Sequence, residues 1–62
     1  MNEDIVQKFE ELKVLVESLQ SDVVKNAGGN KSAGVRARKQ LREVKKVAAE
    51  LVKTSLTFDK GE

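Results

Sequence analysis

Eight positively charged side chains stand within residues 31–53: Lys31, Arg36, Arg38, Lys39, Arg42, Lys45, Lys46 and Lys53. Only Glu43 and Glu50 oppose them, so the segment carries eight minus two, a net +6. Ammonium and guanidinium groups gathered without acids do one kind of chemistry well. They neutralise phosphates and release the counterions condensed around them. They do not break bonds unaided. The chain has no His, Cys or Tyr, and its carboxylates sit singly on solvated helix faces, so no nucleophile, base and orienting group can be assembled. No catalytic residue is expected. The usual structural zinc sites need Cys or His, so no metal is expected either.

The remaining charge is distributed unevenly. Residues 1–30 carry three Lys against six acids, net −3, and residues 54–62 carry Lys60 against Asp59 and Glu62, net −1. The sum is the +2 of the whole chain, an acidic half followed by a basic half. Such asymmetry points to a partner that is itself charged.

The elements that must position these groups are helices. The chain lacks Pro and is rich in Val, Leu, Lys, Glu and Ala. Its one strong interruption is Gly28-Gly29-Asn30. Glycines there suit a left-handed helix end, and Asn30 or Ser32 can cap the helix that follows. The spacing predicts one domain: helix 1 over about residues 3–27, a turn at 28–30, helix 2 over about 31–56 and a short tail at 57–62. Gly34 falls in the first turn of helix 2, where its cost of about 1 kcal/mol relative to Ala matters less.

Apolar residues repeat at alternating steps of four and three. On helix 1 the stripe is Ile5, Phe9, Leu12, Val16, Leu19 and Val23; on helix 2 it is Ala37, Leu41, Val44, Ala48, Leu51 and Ser55. Each is a heptad seam. Folding the chain at the glycines pairs Val23 with Ala37, Leu19 with Leu41, Val16 with Val44, Leu12 with Ala48, Phe9 with Leu51 and Ile5 with Ser55. One turn thus aligns the two stripes, as in an all-α, coiled-coil-like antiparallel helical hairpin. Phe58 continues the second stripe, and Val6, Leu15, Val24, Val47 and Val52 flank the two seams. A chain this short hides only about 60 % of its unfolded surface, and no disulfide can help it. Self-association into a four-helix bundle, a homodimer or higher, is therefore expected; the alternative is that the flanking valines are scattered surface residues.

At about 100° per residue, Lys31, Arg38, Lys39, Arg42, Lys45, Lys46 and Lys53 fall opposite the seam of helix 2. Arg36 lies at one edge, in line with Glu43 and Glu50. Ion pairing within the helix would interleave the signs; here they are segregated, as suits a surface meeting phosphates along a rod. A charged outer face can equally be a solvated one. The free N–H groups near Gly28, Gly29 and Asn30 could seat a phosphate, although helix ends of this kind are commonly just capped. Single-strand binders stack bases on aromatic rings, and Phe9 and Phe58 are assigned to the seam. The expected partner is duplex DNA held by its backbone. No helix-turn-helix spacing is present, so base reading is not expected.

Residues 29–56 resemble the linker-histone-like DNA-binding family best known from chlamydiae. The residues that carry the likeness are the turn Gly29-Asn30-Lys31, the small stretch Ser32-Ala33-Gly34 and the element Arg36-Ala37-Arg38-Lys39 before a Lys-rich helix. Helix 1 matches in its acidic character. The resemblance implies DNA binding without sequence preference and a part in organising the nucleoid. Carried over by position, it implicates Lys31, Arg36, Arg38, Lys39, Arg42, Lys45 and Lys46. The chlamydial proteins continue into a Lys-rich tail, whereas residues 58–62 here read Phe-Asp-Lys-Gly-Glu.

The sequence therefore predicts a non-enzymatic, histone-like, nucleoid-associated protein of the cytoplasm that binds double-stranded DNA and takes no cofactor. Two helices offer no pocket for a small-molecule substrate. No apolar run approaches the roughly 20 residues of a membrane span, and the acidic start Met1-Asn2-Glu3-Asp4 argues against a secretory signal. The alternative function is a protein–protein module, an antiparallel coiled coil that oligomerises and whose charges only keep it in solution.

Overall fold

A computed structural model describes residues 2–61. Among them are two helices, α1 (Glu3–Ala27) and α2 (Lys31–Asp59), and no strand. They pack against each other as an antiparallel hairpin, the all-helical fold expected. The Cα extents are 48 × 15 × 11 Å, a rod with no interior apart from the seam between its two helices. α2 continues through Thr57, Phe58 and Asp59, three residues past the end expected from the sequence.

Local chemistry explains where each helix starts and stops. The Asn2 side chain accepts a hydrogen bond from the Ile5 N–H (3.1 Å), and Asn30 does the same for Ala33 (2.9 Å). Each Asn satisfies a donor that the first helical turn leaves open. At the end of α1 the Gly29 N–H donates to the Asn26 carbonyl (2.9 Å) and the Asn30 N–H to the Lys25 carbonyl (3.0 Å). This paired closure is the Schellman arrangement. It needs a left-handed residue, and Gly29, at φ 104°, supplies it. Asn30, rather than Ser32, is the cap of α2.

The seam is rotated from the stripe that the spacing suggested. Ile5, Leu12 and Leu19 face α2 as expected, and Ala37, Val44 and Leu51 face α1. Of the alternate members, Ala48 and Ser55 are half-buried, and the others are not. Phe9 is 52 % exposed and Leu41 47 %, and Val16 and Val23 are exposed with them. Lys8, Leu15 and Asp22 are drawn in on α1, and Ala33, Gln40, Val47 and Thr54 on α2. Both stripes obey a four–three alternation and share every second residue, so periodicity alone does not separate them. Contact near the turn does. Ala33, Gly34 and Ala37 are buried there, and small side chains let the two backbones approach. A Cβ at Gly34 would sit 2.8 Å from the Asn26 Cγ, so a larger residue there must displace the Asn26 side chain.

One side of the seam is closed by polar groups. The Arg36 guanidinium donates to Asp22 through Nε (3.2 and 3.3 Å to the two oxygens) and through Nη2 (3.2 Å). The Asn26 amide donates to the Asn30 carbonyl (3.3 Å) over the turn. In the seam itself, Gln40 Oε1 is buried without a hydrogen-bond partner.

Candidate nucleic-acid interface

α2 holds the cations because it is continuous. Its 29 residues run without a kink-forming Pro, so side chains seven apart stack into columns about 10.5 Å apart along the axis. Lys31, Arg38 and Lys45 form one column; Lys39, Lys46 and Lys53 form a second, and Arg42 lies between them. All seven are exposed. The charged stretch from Lys31 to Lys53 spans about 33 Å at 1.5 Å per residue, close to one turn of duplex DNA, about 34 Å.

Arg36 differs from the other seven. It lies at the rim of the seam, and its ion pair with Asp22 turns the guanidinium toward α1. Its side chain keeps 54 % of its surface exposed, against 17 % for Asp22. Lys39 stands beside it on the same rim, with Leu15, Gln40 and Glu43 lining the shallow groove between the helices. The structure thus leaves seven cations exposed, six on the outward face and Lys39 at its edge, and diverts the eighth into the hairpin's own packing.

The opposite edge of the rod has the opposite sign. Glu3, Glu10 and Glu17 are exposed and seven residues apart, a single file along the back of α1. That file was not singled out from the sequence, although the spacing was there to find it. The signal was the same repeat that defines the seam, read on the outer face.

Among the described residues no group of three or more His, Cys, Asp or Glu side chains could hold a metal ion, and no helix is long and apolar enough to cross a membrane. The Asn30 side chain occupies the first turn of α2 as its cap, so the N–H groups raised above as a phosphate seat are partly satisfied from within.

Comparison with known proteins gives one match. No curated protein and no solved structure matches significantly. A family profile described as histone H1-like protein Hc1 matches residues 6–61, nearly the whole hairpin, including both helices and the glycine turn. A match of that extent, over the cationic face and the acidic helix alike, means that the chain belongs to the histone H1-like protein Hc1 family.

Proposed function

We propose that this chain binds double-stranded DNA without sequence preference, through phosphate contacts from Lys31, Arg38, Lys39, Arg42, Lys45, Lys46 and Lys53 on the outer face of α2. It acts as a nucleoid-associated, histone-like protein in the cytoplasm and needs no cofactor. The observation that carries this reading is segregation: seven exposed cations along one side of α2, extended over about one DNA turn, with Glu3, Glu10 and Glu17 in file along the back of α1. Arg36 is a lesser contributor because Asp22 already holds it. The family match supports the same class of function.

Backbone contacts carry no base information, so affinity should be similar for AT-rich and GC-rich duplexes and fall steeply with salt. The decisive variant is Arg38→Glu, Arg42→Glu, Lys46→Glu. All three side chains are exposed, so helicity should hold while duplex binding is lost. Each absent contact should lower the slope of log affinity against log salt by about 0.9. Lys13→Glu with Lys25→Glu on α1, both exposed, serves as the control, with a smaller expected effect.

A second reading has its own observation. The apolar residues left exposed along one flank, among them Phe9, Val16 and Leu41, favour self-association, and a pure oligomerisation module would need nothing more. Should the triple variant bind duplex as tightly as wild type, that reading replaces the first.

A further inference from the structure

The outer face of α2 is built in rows. Stepping four residues at a time gives Lys31-Val35-Lys39, then Arg38-Arg42-Lys46, then Lys45-Ala49-Lys53. Each step of four turns the helix by about 40°, at about 100° per residue, so every row sets a cation on either side of a central residue. The central file is Val35, Arg42 and Ala49. All three are exposed, Val35 at 62 %. No acid enters this face. Glu43 and Glu50 stand outside the second column, toward Arg36, and Leu41 and Ala48 stand outside the first. α1 packs on the other side of α2, against Ala37, Val44 and Leu51, so the hairpin leaves the central file uncovered.

Resting on the DNA-binding reading above, we infer that this face enters the major groove of B-form DNA, with the two cation columns on the phosphates of opposite strands and Val35, Arg42 and Ala49 toward the base edges. An α-helix with its side chains is about 10–12 Å across. The major groove, about 12 Å wide, admits one, whereas the minor groove, about 6 Å wide, does not. The short side chains of Val35 and Ala49 let the helix approach the groove floor, where thymine methyl groups offer apolar contact. Laid on the phosphate ridge outside the groove, the same side chains would meet nothing apolar.

Insertion has a consequence for what is bound. Arg42 is the midpoint between Lys31 and Lys53. A straight helix leaves a curving groove at both ends, so insertion is deepest at Arg42. Every base pair offers an acceptor on the major-groove floor: N7 and O6 of guanine, N7 of adenine or O4 of thymine. One guanidinium therefore finds a partner at any register, and the face enters the groove without selecting a sequence. It does select a helical form. The major groove of A-form RNA is deep and narrow, so α2 favours DNA over an RNA duplex of the same sequence. Contact with phosphates alone would draw no such distinction.

The test uses the whole chain, which has no native Cys, so an introduced thiol reports one position. Val35→Cys and Ala49→Cys place it in the central file, and Glu10→Cys places it on the back of α1. All three positions are exposed, so helicity should hold. Each variant is equilibrated in a glutathione redox buffer with a duplex carrying a thiol tether. The tether sits on cytosine N4, in the major groove, or on guanine N2, in the minor groove. Val35→Cys and Ala49→Cys should trap the N4 tether about tenfold or more over the N2 tether, and Glu10→Cys should trap neither. Equal trapping of both tethers, preference for N2, no trapping despite intact affinity, or equal trapping by Glu10→Cys overturns groove insertion and leaves the DNA-binding reading standing. Wild type should also bind a short DNA duplex about tenfold or more tighter than an RNA duplex of the same sequence at matched salt. Equal affinity for the two likewise overturns insertion. Wild type that binds no duplex at low salt overturns the DNA-binding reading instead.

Discussion

Leu19 and Leu41 belong to two regions that the apolar spacing does not distinguish, and the hairpin treats them differently. Leu19 sits in the closed seam at 5 % exposure; Leu41 sits on the open flank at 47 %. Around Leu19 the packing is finished within one chain. Around Leu41, Phe9 and Val16 it is not. The closed region makes the hairpin a folded unit, and the open region leaves apolar side chains exposed. Two helices can bury only one stripe each, whereas this sequence carries nearly two.

The strongest way to break the contrast is to place a carboxylate in each region. Leu19→Asp should abolish the fold, because an unpaired buried charge costs more than so small a domain can offset. Leu41→Asp should retain most of its helicity by circular dichroism and lose only its tendency to associate. Equal loss in both variants would mean that the open flank is essential to the hairpin itself, and wild-type unfolding would then depend on protein concentration throughout.

Gly34→Leu probes the closed region at its tightest point. A side chain there must displace the side chains of Asn26 and Arg38, with an expected cost of about 1–3 kcal/mol. For a domain of this size each kcal/mol lowers the melting temperature by about 4–8 °C, which calorimetry resolves. An unchanged midpoint would show that Gly34 is tolerated for its own sake and that helix separation is not set there.

Gln40→Leu should act in the opposite direction. It removes a buried amide oxygen without a partner and fills the seam, so a gain of about 1 kcal/mol is expected, read as a higher denaturant midpoint with the same slope. A loss would assign Gln40 a hydrogen bond that matters to the fold.

The smallest effect is expected at the polar rim. Asp22→Asn removes an ion pair that is partly exposed, worth less than about 1 kcal/mol. Its sharper readout is DNA binding: a freed Arg36 should raise duplex affinity and steepen the salt slope by up to about 0.9. A slope unchanged within error would place Arg36 outside the interface even when released.

Much of this protein was legible in its residues. Gly29 ends helix 1 because only glycine adopts the left-handed conformation readily, and the four–three apolar spacing can be satisfied by little other than paired helices. The cationic face was legible for the same reason: at 3.6 residues per turn, sequence position sets direction around a helix. Arg36 was less so. It was grouped with the other cations because its spacing to Asp22 across the turn cannot be seen along either helix alone.

What the sequence by itself determined was the element types, the antiparallel hairpin and the segregation of charge, since each follows from local spacing. Which of two overlapping apolar stripes turns inward was decided only in three dimensions. Leu15 and Val47 displace Val16 and Leu41 from the seam, and Lys8, Asp22 and Gln40 are drawn in where hydropathy favours Phe9, Val23 and Leu41. The choice rests on how closely the backbones approach at Ala33, Gly34 and Ala37, and on which polar groups find partners across the gap. Those are properties of two surfaces in contact, and neither helix carries them alone.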